Sequence, residues 1–353
     1  MKRACVTLPR HLTPDKVKVS QTLINGLVDS LWSKSKSENV FRYELSESCL
    51  RSIPGQCQFC ADYNEHRFSK KRAAHSVSSC NQPFNDSLFN FNKLNDSEIL
   101  LGVSLSDDAG CVSFSMDSGS SLVAVNASPL SESHILLLPS PEKCLNQRLT
   151  LGAVELGLSF SVSCGDPDLR VVFNSLRAFA SINHLHLHAY KCSTSLPIES
   201  APVEHLVDCC YKLTTYPVPG FVFQLQTDTV SLAKSVFTAV EVLQDQDIPH
   251  NMMITYGDPC TVHTDPTIVP EPVLRVCLWP VKPSDQLPAD ELLFKPAVCE
   301  ISGHILLHDL DLFQTITETQ IINTLKINAF EEDQFQEITA LVKKKLEAVN
   351  NSS

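Results

Sequence analysis

The sequence predicts an α+β fold, antiparallel sheets with flanking helices, arranged as two tandem degenerate repeats. Three observations carry this. Between residues 98 and 139, short apolar runs alternate with Asp-, Gly-, Ser- and Pro-bearing turns, and connections that short imply antiparallel neighbours. Segments with helical period stand at both ends of the chain. After residue 216 the strand and helix patterns of the first half recur.

In chain order, Leu23, Ile24, Leu27, Val28 and Leu31 follow the helical period within residues 15–34. Residues 41–45 read as a short strand. Residues 57–85 are polar and irregular, and the basic run Lys70-Lys71-Arg72 reads as a solvated face. Cys57-Gln58-Phe59-Cys60 is a single Cys-x-x-Cys pair with no second pair behind it, so it falls short of a four-ligand zinc site. Strands are expected at 99–105, 111–116, 122–126 and 134–138, then a helix marked by Leu145, Leu149 and Leu156, then strands at 169–174 and 183–191. Residues 192–218 read as a bridge with a short helix at 206–213. In the second half, strands are expected at 220–226, 251–256, 273–278 and 298–306, with a helix at 232–243. An amphipathic helix at 331–349, with Phe335, Ile338, Leu341, Val342 and Val349 to one side, ends the chain. The units so drawn are 1–83, 84–215, 216–330 and 331–353.

Composition narrows the function. The chain has 353 residues, 43% of them hydrophobic, and a mean hydropathy of -0.01, as an ordinary globular protein has. No run of 18 apolar residues predicts a membrane span. The basic Met1-Lys2-Arg3 start leads into no apolar segment, so no secretory signal is expected. Fourteen cysteines without regular spacing then read as reduced thiols in the cytoplasm. A net charge of -12 speaks against nucleic acid and anionic membrane as partners. No obligate protein partner is evident.

The chemistry concentrates in Ser181-Ile182-Asn183-His184-Leu185-His186-Leu187-His188-Ala189-Tyr190. On a strand, the three histidines would share one face roughly 7 Å apart while Leu185 and Leu187 point into a core. Such a face could be a half-buried cluster, a metal site, or a covalent centre in which one imidazole attacks an electrophile. No acidic residue lies within the motif to orient metal ligands. A neutral imidazole is a competent nucleophile near pH 7, which favours the covalent reading.

The run Phe173-Asn174-Ser175-Leu176 followed by Ala180 through His188 resembles the histidine-triad superfamily of nucleotide hydrolases and transferases. More narrowly the chain resembles the GDP-D-glucose phosphorylases, relatives of the plant GDP-L-galactose phosphorylases. Asn126 through Leu130 with His134 through Pro139 is similar to the superfamily's ribose-contacting strand-turn-strand. Further matches are Phe41-Arg42-Tyr43, Phe89 through Lys93, Gln147-Arg148-Leu149, Pro219 through Gln224, His250-Asn251, Leu278-Trp279-Pro280 and Lys295 through His304. They run collinearly from about residue 20 to about residue 320.

The resemblance implies a histidine-triad-like fold and a tandem arrangement like that of the uridylyltransferases. It implies His186 as nucleophile on the α-phosphorus of GDP-D-glucose, supported by His184 and His188, with inorganic phosphate as second substrate and no metal or cofactor. It also implies phosphate donors Asn174 and Ser181, a ribose contact at Asn126, and cationic contacts at Lys93, Arg148 and Lys71. Arg177 and Ser133 stand where that family has glycine, and Lys191 where it has tyrosine. A hydrolase releasing GMP and a non-catalytic nucleotide-binding protein are the alternatives.

Overall fold

The computed structural model describes residues 4–14, 23–45, 49–70, 77–107, 112–116, 119–261 and 270–351. Its elements in chain order are β1 (Cys5–Pro9), α1 (Leu23–Ser37), β2 (Cys49–Ser52), β3 (Cys60–Tyr63), α2 (Glu65–Lys70), β4 (Ile99–Ser106), β5 (Ser113–Ser115), β6 (Ser121–Val125) and β7 (Ile135–Pro139). There follow α3 (Leu151–Cys164), β8 (Leu169–Asn174), β9 (Leu187–Lys191), β10 (Val203–Val207), β11 (Cys210–Leu213), β12 (Phe221–Gln224), α4 (Thr229–Asp245), β13 (His250–Gly257) and β14 (Val273–Pro280). The chain closes with α5 (Val298–Ser302), β15 (His304–Leu307), α6 (Leu310–Thr315), α7 (Glu318–Asn328) and α8 (Glu332–Asn350).

Twelve strands form one sheet in the order β10-β11-β12-β14-β13-β8-β9-β7-β6-β4-β1-β5, and β15-β3-β2 form a second. Strand side chains alternate between faces, so each central strand feeds two cores. Val171, Phe173, Leu187, Ala189 and Ile254 face a cluster that includes residues of α1, α3, α4 and α8. Val172, Tyr190, Met253 and Cys277 face the other way, onto the small sheet and α5 through α7. His188 alternates with Leu187 and Ala189 and so lies on this second face. Helix α3 starts where Thr150 Oγ1 accepts the Ala153 N–H, and ends at Gly165 with φ of 58°.

The mixed α+β architecture is as expected, but one large sheet runs through both halves and particular elements differ. The segment 41–45 forms no strand: Arg42 N–H bonds Ala127 O and the Tyr43 hydroxyl bonds Pro129 O, so one main-chain and one side-chain bond anchor it to the loop between β6 and β7 instead of a strand ladder. The region 57–85 holds β3 and α2, because Cys60–Tyr63 pairs with both β2 and β15. The run 99–139 is not a simple meander. β1, unpredicted, lies parallel to β4, and β5 pairs with β1 instead of β4 and β6. The helix expected from Leu145 begins at Leu151. Residues 206–213 belong to a hairpin, β10–β11, that turns at Asp208 with φ of 48°. The strand expected at 298–306 is α5 followed by β15, because Gly303 at φ 106° ends the helix and reverses the chain. In α8 the buried stripe is Phe335, Ile338, Val342 and Leu346, leaving Leu341 and Val349 exposed. The N-terminal helix is described from Leu23 only, and 15–22 lie outside the described residues.

A buried ion pair ties the segment after β9 to the sheet. Arg170, 2% exposed, meets Glu199 at 2.8 Å, and Glu199 also accepts from Thr255. Glu199→Ala would strand the guanidinium, and breaking such a pair costs about 3–5 kcal/mol. The expected outcome is a matching fall in the free energy of urea unfolding.

Candidate active site

The three histidines do not all stand on a strand. β9 begins at Leu187, and His184 and His186 lie in the bend and lead-in before it. Among the described residues no strand pairs with that lead-in. The side-chain amide of Gln147, 1% exposed, takes a strand's place: its Oε1 accepts the His186 N–H at 2.9 Å. Its Nε2 donates to His186 O at 3.1 Å and to Asn174 O at 2.9 Å, joining the end of β8 to the start of β9. Leu185 N–H bonds Leu145 O. The strand expected from residue 183 is therefore shorter because side chain and loop satisfy its backbone.

Each imidazole has its proton placed by the groups around it. His184 Nδ1 accepts the Phe91 N–H at 3.0 Å and Nε2 donates to Pro141 O at 3.1 Å, so both ring nitrogens are used. Phe84 and Phe91 cover it at 5.1 and 5.6 Å. His186 donates from Nδ1 to His184 O at 2.8 Å, which leaves a lone pair on Nε2. Burial pushes its pKa down to about 4, so the ring is neutral at physiological pH.

His188 is set by a residue that sequence reasoning missed as a site member, His134. The Leu130 N–H donates to His134 Nδ1 at 2.8 Å, so a neutral His134 carries its proton on Nε2. That nitrogen lies 3.1 Å from His188 Nδ1, which must accept, and the His188 proton is thereby placed on Nε2. Desolvation holds His134 and His188 well below the usual histidine range, and the Arg67 guanidinium adds to this for both. With ring centroids 5.0 Å apart, His186 offers a lone pair and His188 offers an N–H. A nucleophile beside a hydrogen-bond donor is the minimum needed to attack phosphorus and hold its oxygens.

The other expected residues are distributed unevenly. Asn174 ends β8, its Oδ1 engaged by Asn251 and Val298. Ser181 is half-buried and has no hydrogen-bond partner among the described residues. Asn126 is turned inward: Oδ1 accepts the Ser128 N–H, and Nδ2 lies 3.2 Å from His134 Nε2 and 3.4 Å from His188 Nδ1. Lys93 Nζ holds Asp86 O and Leu88 O, closing its own loop. Arg148 donates to Gln244 and lies 3.7 Å from Asp245, both at the C-terminal end of α4. Lys71 lies outside the described residues.

Arg67 was missed. It follows the α2 cap Asn64, which accepts its N–H, and its guanidinium donates to Ser128 O. The sequence signal was Asn64 three residues before a basic side chain, just ahead of the basic run. Gln147 and His134 lie within stretches that resemble the family, but nothing in their spacing shows what they bond.

The three departures from the resembled family have local explanations. Ser133 and Arg177 adopt φ of 57° and 60°, the left-handed region where glycine is easiest. Ser133 Oγ donates to Asp29, which also receives Lys191 at 2.8 Å, so two departures share one partner on α1. Arg177 forms a two-pronged pair with Asp285 at 2.8 and 3.1 Å. Cys57 is half-buried and Cys60 buried, with burial pushing the latter's pKa up to about 11. Among the described residues no group of three or more His, Cys, Asp or Glu side chains is arranged to hold a metal ion.

Comparison with known proteins adds to this geometry. The family models "GDPGP1-like, N-terminal domain" and "GDPGP1-like, C-terminal domain" match residues 23–190 and 197–349. GDP-D-glucose phosphorylase 1 of Bos taurus is 34% identical, covering 84% of this chain and 77% of the relative. That of Homo sapiens is 33% identical, covering 94% and 86%. GDP-L-galactose phosphorylase 1 of Arabidopsis thaliana is 29% identical, covering 94% and 75%. In fold the chain is similar to yeast Ap4A phosphorylase Apa2 in complex with Ap4A, with a TM-score of 0.60, 15% identity and coverage of 88% and 98%.

His134, His184, His186, His188 and His250 all have pKa values lowered chiefly by burial. The unfolded chain carries them near the ordinary 6.5, so below that pH it binds protons that the native state refuses. Stability is therefore complete above pH 6.5 and falls as pH drops toward 4. The slope reaches about 1.4 kcal/mol per pH unit for each histidine that must charge. Urea midpoints measured from pH 7.5 to 4.5 should fall steadily below 6.5; a flat profile would show rings already open to solvent protons.

Proposed function

The chain belongs to the GDPGP1-like family, and on that premise we propose that it is a GDP-D-glucose phosphorylase working through a guanylyl-histidine. His186 Nε2 attacks the α-phosphorus of GDP-glucose. The bond from that phosphorus to the bridging oxygen breaks, and glucose 1-phosphate leaves. An oxygen of inorganic phosphate then attacks the same phosphorus, the P–N bond breaks, and GDP departs while the lone pair returns to His186. The guanylylated ring carries positive charge, and its Nδ1–H stays bonded to His184 O. His188 Nε2–H meets a non-bridging phosphate oxygen, with Asn174 and Ser181 as further donors. His184, both nitrogens spent on Phe91 N–H and Pro141 O, positions Phe91 against the nucleophile. No step calls for a metal or cofactor in this reading, since oriented donors stabilise the developing charge.

The observation that carries it is the bond from His186 Nδ1 to His184 O at 2.8 Å, which leaves the attacking nitrogen bare. Lys93, Arg148 and Lys71 remain proposed phosphate contacts, the first two after release from their present partners, and Asn126 a ribose contact after a turn of its amide. Arg67 is the cation nearest in effect to His134 and His188. We read the compartment as cytoplasm, supported by thirteen described cysteines that are all free.

The same reading takes 84–215 and 216–330 as degenerate repeats. In its favour, β7–α3–β8–β9 forms the order β8-β9-β7, and β12–α4–β13–β14 forms β13-β14-β12, the two units meeting along β8 and β13.

The test is incubation with GDP-D-glucose, with and without phosphate, followed by separation of nucleotides. GDP should form only with phosphate, and His186→Ala should lower the rate by on the order of 10³-fold or more. GMP appearing without phosphate would establish hydrolysis instead. His134→Leu removes the group that sets the His188 proton, and such supporting contacts are worth about 10–100-fold in activity. Its loss should fall on kcat, with KM for GDP-glucose nearly unchanged.

A further inference from the structure

We infer that the C-terminal half acts on the transfer site through Asn251, a positioning residue that holds the amide of Asn174 with its NH2 group toward the substrate phosphate. The inference rests on the phosphorolysis reading and deepens it. Asn251 is the second residue of β13, is 0% exposed, and stands opposite Asn174 in the β13–β8 ladder. Its Nδ2 donates to Asn174 Oδ1 at 2.6 Å and to Ala178 O at 3.1 Å. Asn174 Oδ1 accepts a second bond, 3.0 Å from the N–H of Val298, the first residue of α5.

The ends of this short chain are backbone groups whose roles cannot change. Val298 N–H only donates, so the atom it meets on Asn174 is oxygen. The Ala178 carbonyl only accepts, so the atom it meets on Asn251 is nitrogen. Flipping either amide would set donor against donor or acceptor against acceptor. Both orientations are thus settled by main chain, and Asn174 Nδ2 keeps its two protons with no partner among the described residues. Asn251 Oδ1 is buried without a partner, an uncommon state that this orientation imposes.

The consequence is chemical. A free asparagine presents its oxygen or its nitrogen with nearly equal ease, and only the nitrogen attracts a phosphate oxygen. Holding the amide in advance removes reorganisation from the transfer step. β13 and α5, both in the second half, supply this hold, so that half is part of the transfer site although it has no His-x-His-x-His of its own.

The experiment compares wild type, Asn174→Ala, Asn174→Asp, Asn251→Leu and the double variant Asn174→Ala/Asn251→Leu. The readouts are single-turnover release of glucose 1-phosphate, GMP affinity by calorimetry, and urea midpoints. Asn174→Asp keeps both accepted bonds but replaces the donor with a carboxylate oxygen, so it should fold as wild type does. It should nonetheless lose more rate and GMP affinity than Asn174→Ala, whose own loss is about 10²-fold for one donor. Asn251→Leu should slow release by on the order of 10-fold in the wild type, yet change little in the Asn174→Ala background, the non-additivity of a shared function. Wild-type rate and affinity in Asn174→Asp would overturn the inference, as would losses at 174 and 251 that simply multiply. A wild type that leaves GDP-glucose intact would end the phosphorolysis reading, while the GMP affinities would still decide the amide's orientation.

Discussion

A buried imidazole can act as a nucleophile only if its one proton is held on the far nitrogen, and the rest of this site follows from that constraint. His186 is 3% exposed and neutral, with Nδ1–H fixed by the carbonyl two residues earlier. That carbonyl is free to face the ring because the segment before β9 is released from strand pairing. Gln147 makes this possible by bonding the backbone of His186 on both sides while also holding the end of β8. Strand pairing there would keep the carbonyl in a ladder. The side-chain clamp keeps the backbone satisfied and leaves the geometry free for the ring.

The same logic of assigned protons runs through the neighbours. Leu130 N–H, His134 and His188 form a relay in which each donor fixes the next acceptor, ending in an N–H on His188. Ala178, Asn251, Asn174 and Val298 form a second, ending in a free amide NH2. Both begin in backbone groups, whose hydrogen-bonding roles are invariant, and both end in an N–H donor that the proposed reaction assigns to the substrate phosphate. In a protein of net charge -12, oriented neutral donors suit the proposed anionic substrate without gathering exposed cations around it.

The departures from the resembled family sit outside these relays. Ser133 and Lys191 meet on Asp29 of α1, and Arg177 is paired with Asp285. Each of the two cations is paired with a carboxylate, Lys191 with Asp29 and Arg177 with Asp285. Ser133 and Arg177 carry the backbone strain of a left-handed φ, which a two-pronged ion pair or a shared carboxylate offsets locally.

What the sequence determined by itself was local and periodic. The histidine run, the helices α1, α4 and α8, the strands β6 through β8 and β12 through β14, and the collinear family matches depend on neighbours in the chain. Tertiary structure decided everything that depends on partners far apart in sequence. β1 joins β4 across about a hundred residues, and 298–306 splits at Gly303 because a helix must dock on β8 before β15 reaches β3. His134, Gln147, Asn251 and Arg67 became site residues only once folding placed them against the histidines and Asn174. A hydrogen bond depends on where its two groups meet in space, and the spacing of letters along a chain carries no record of that meeting.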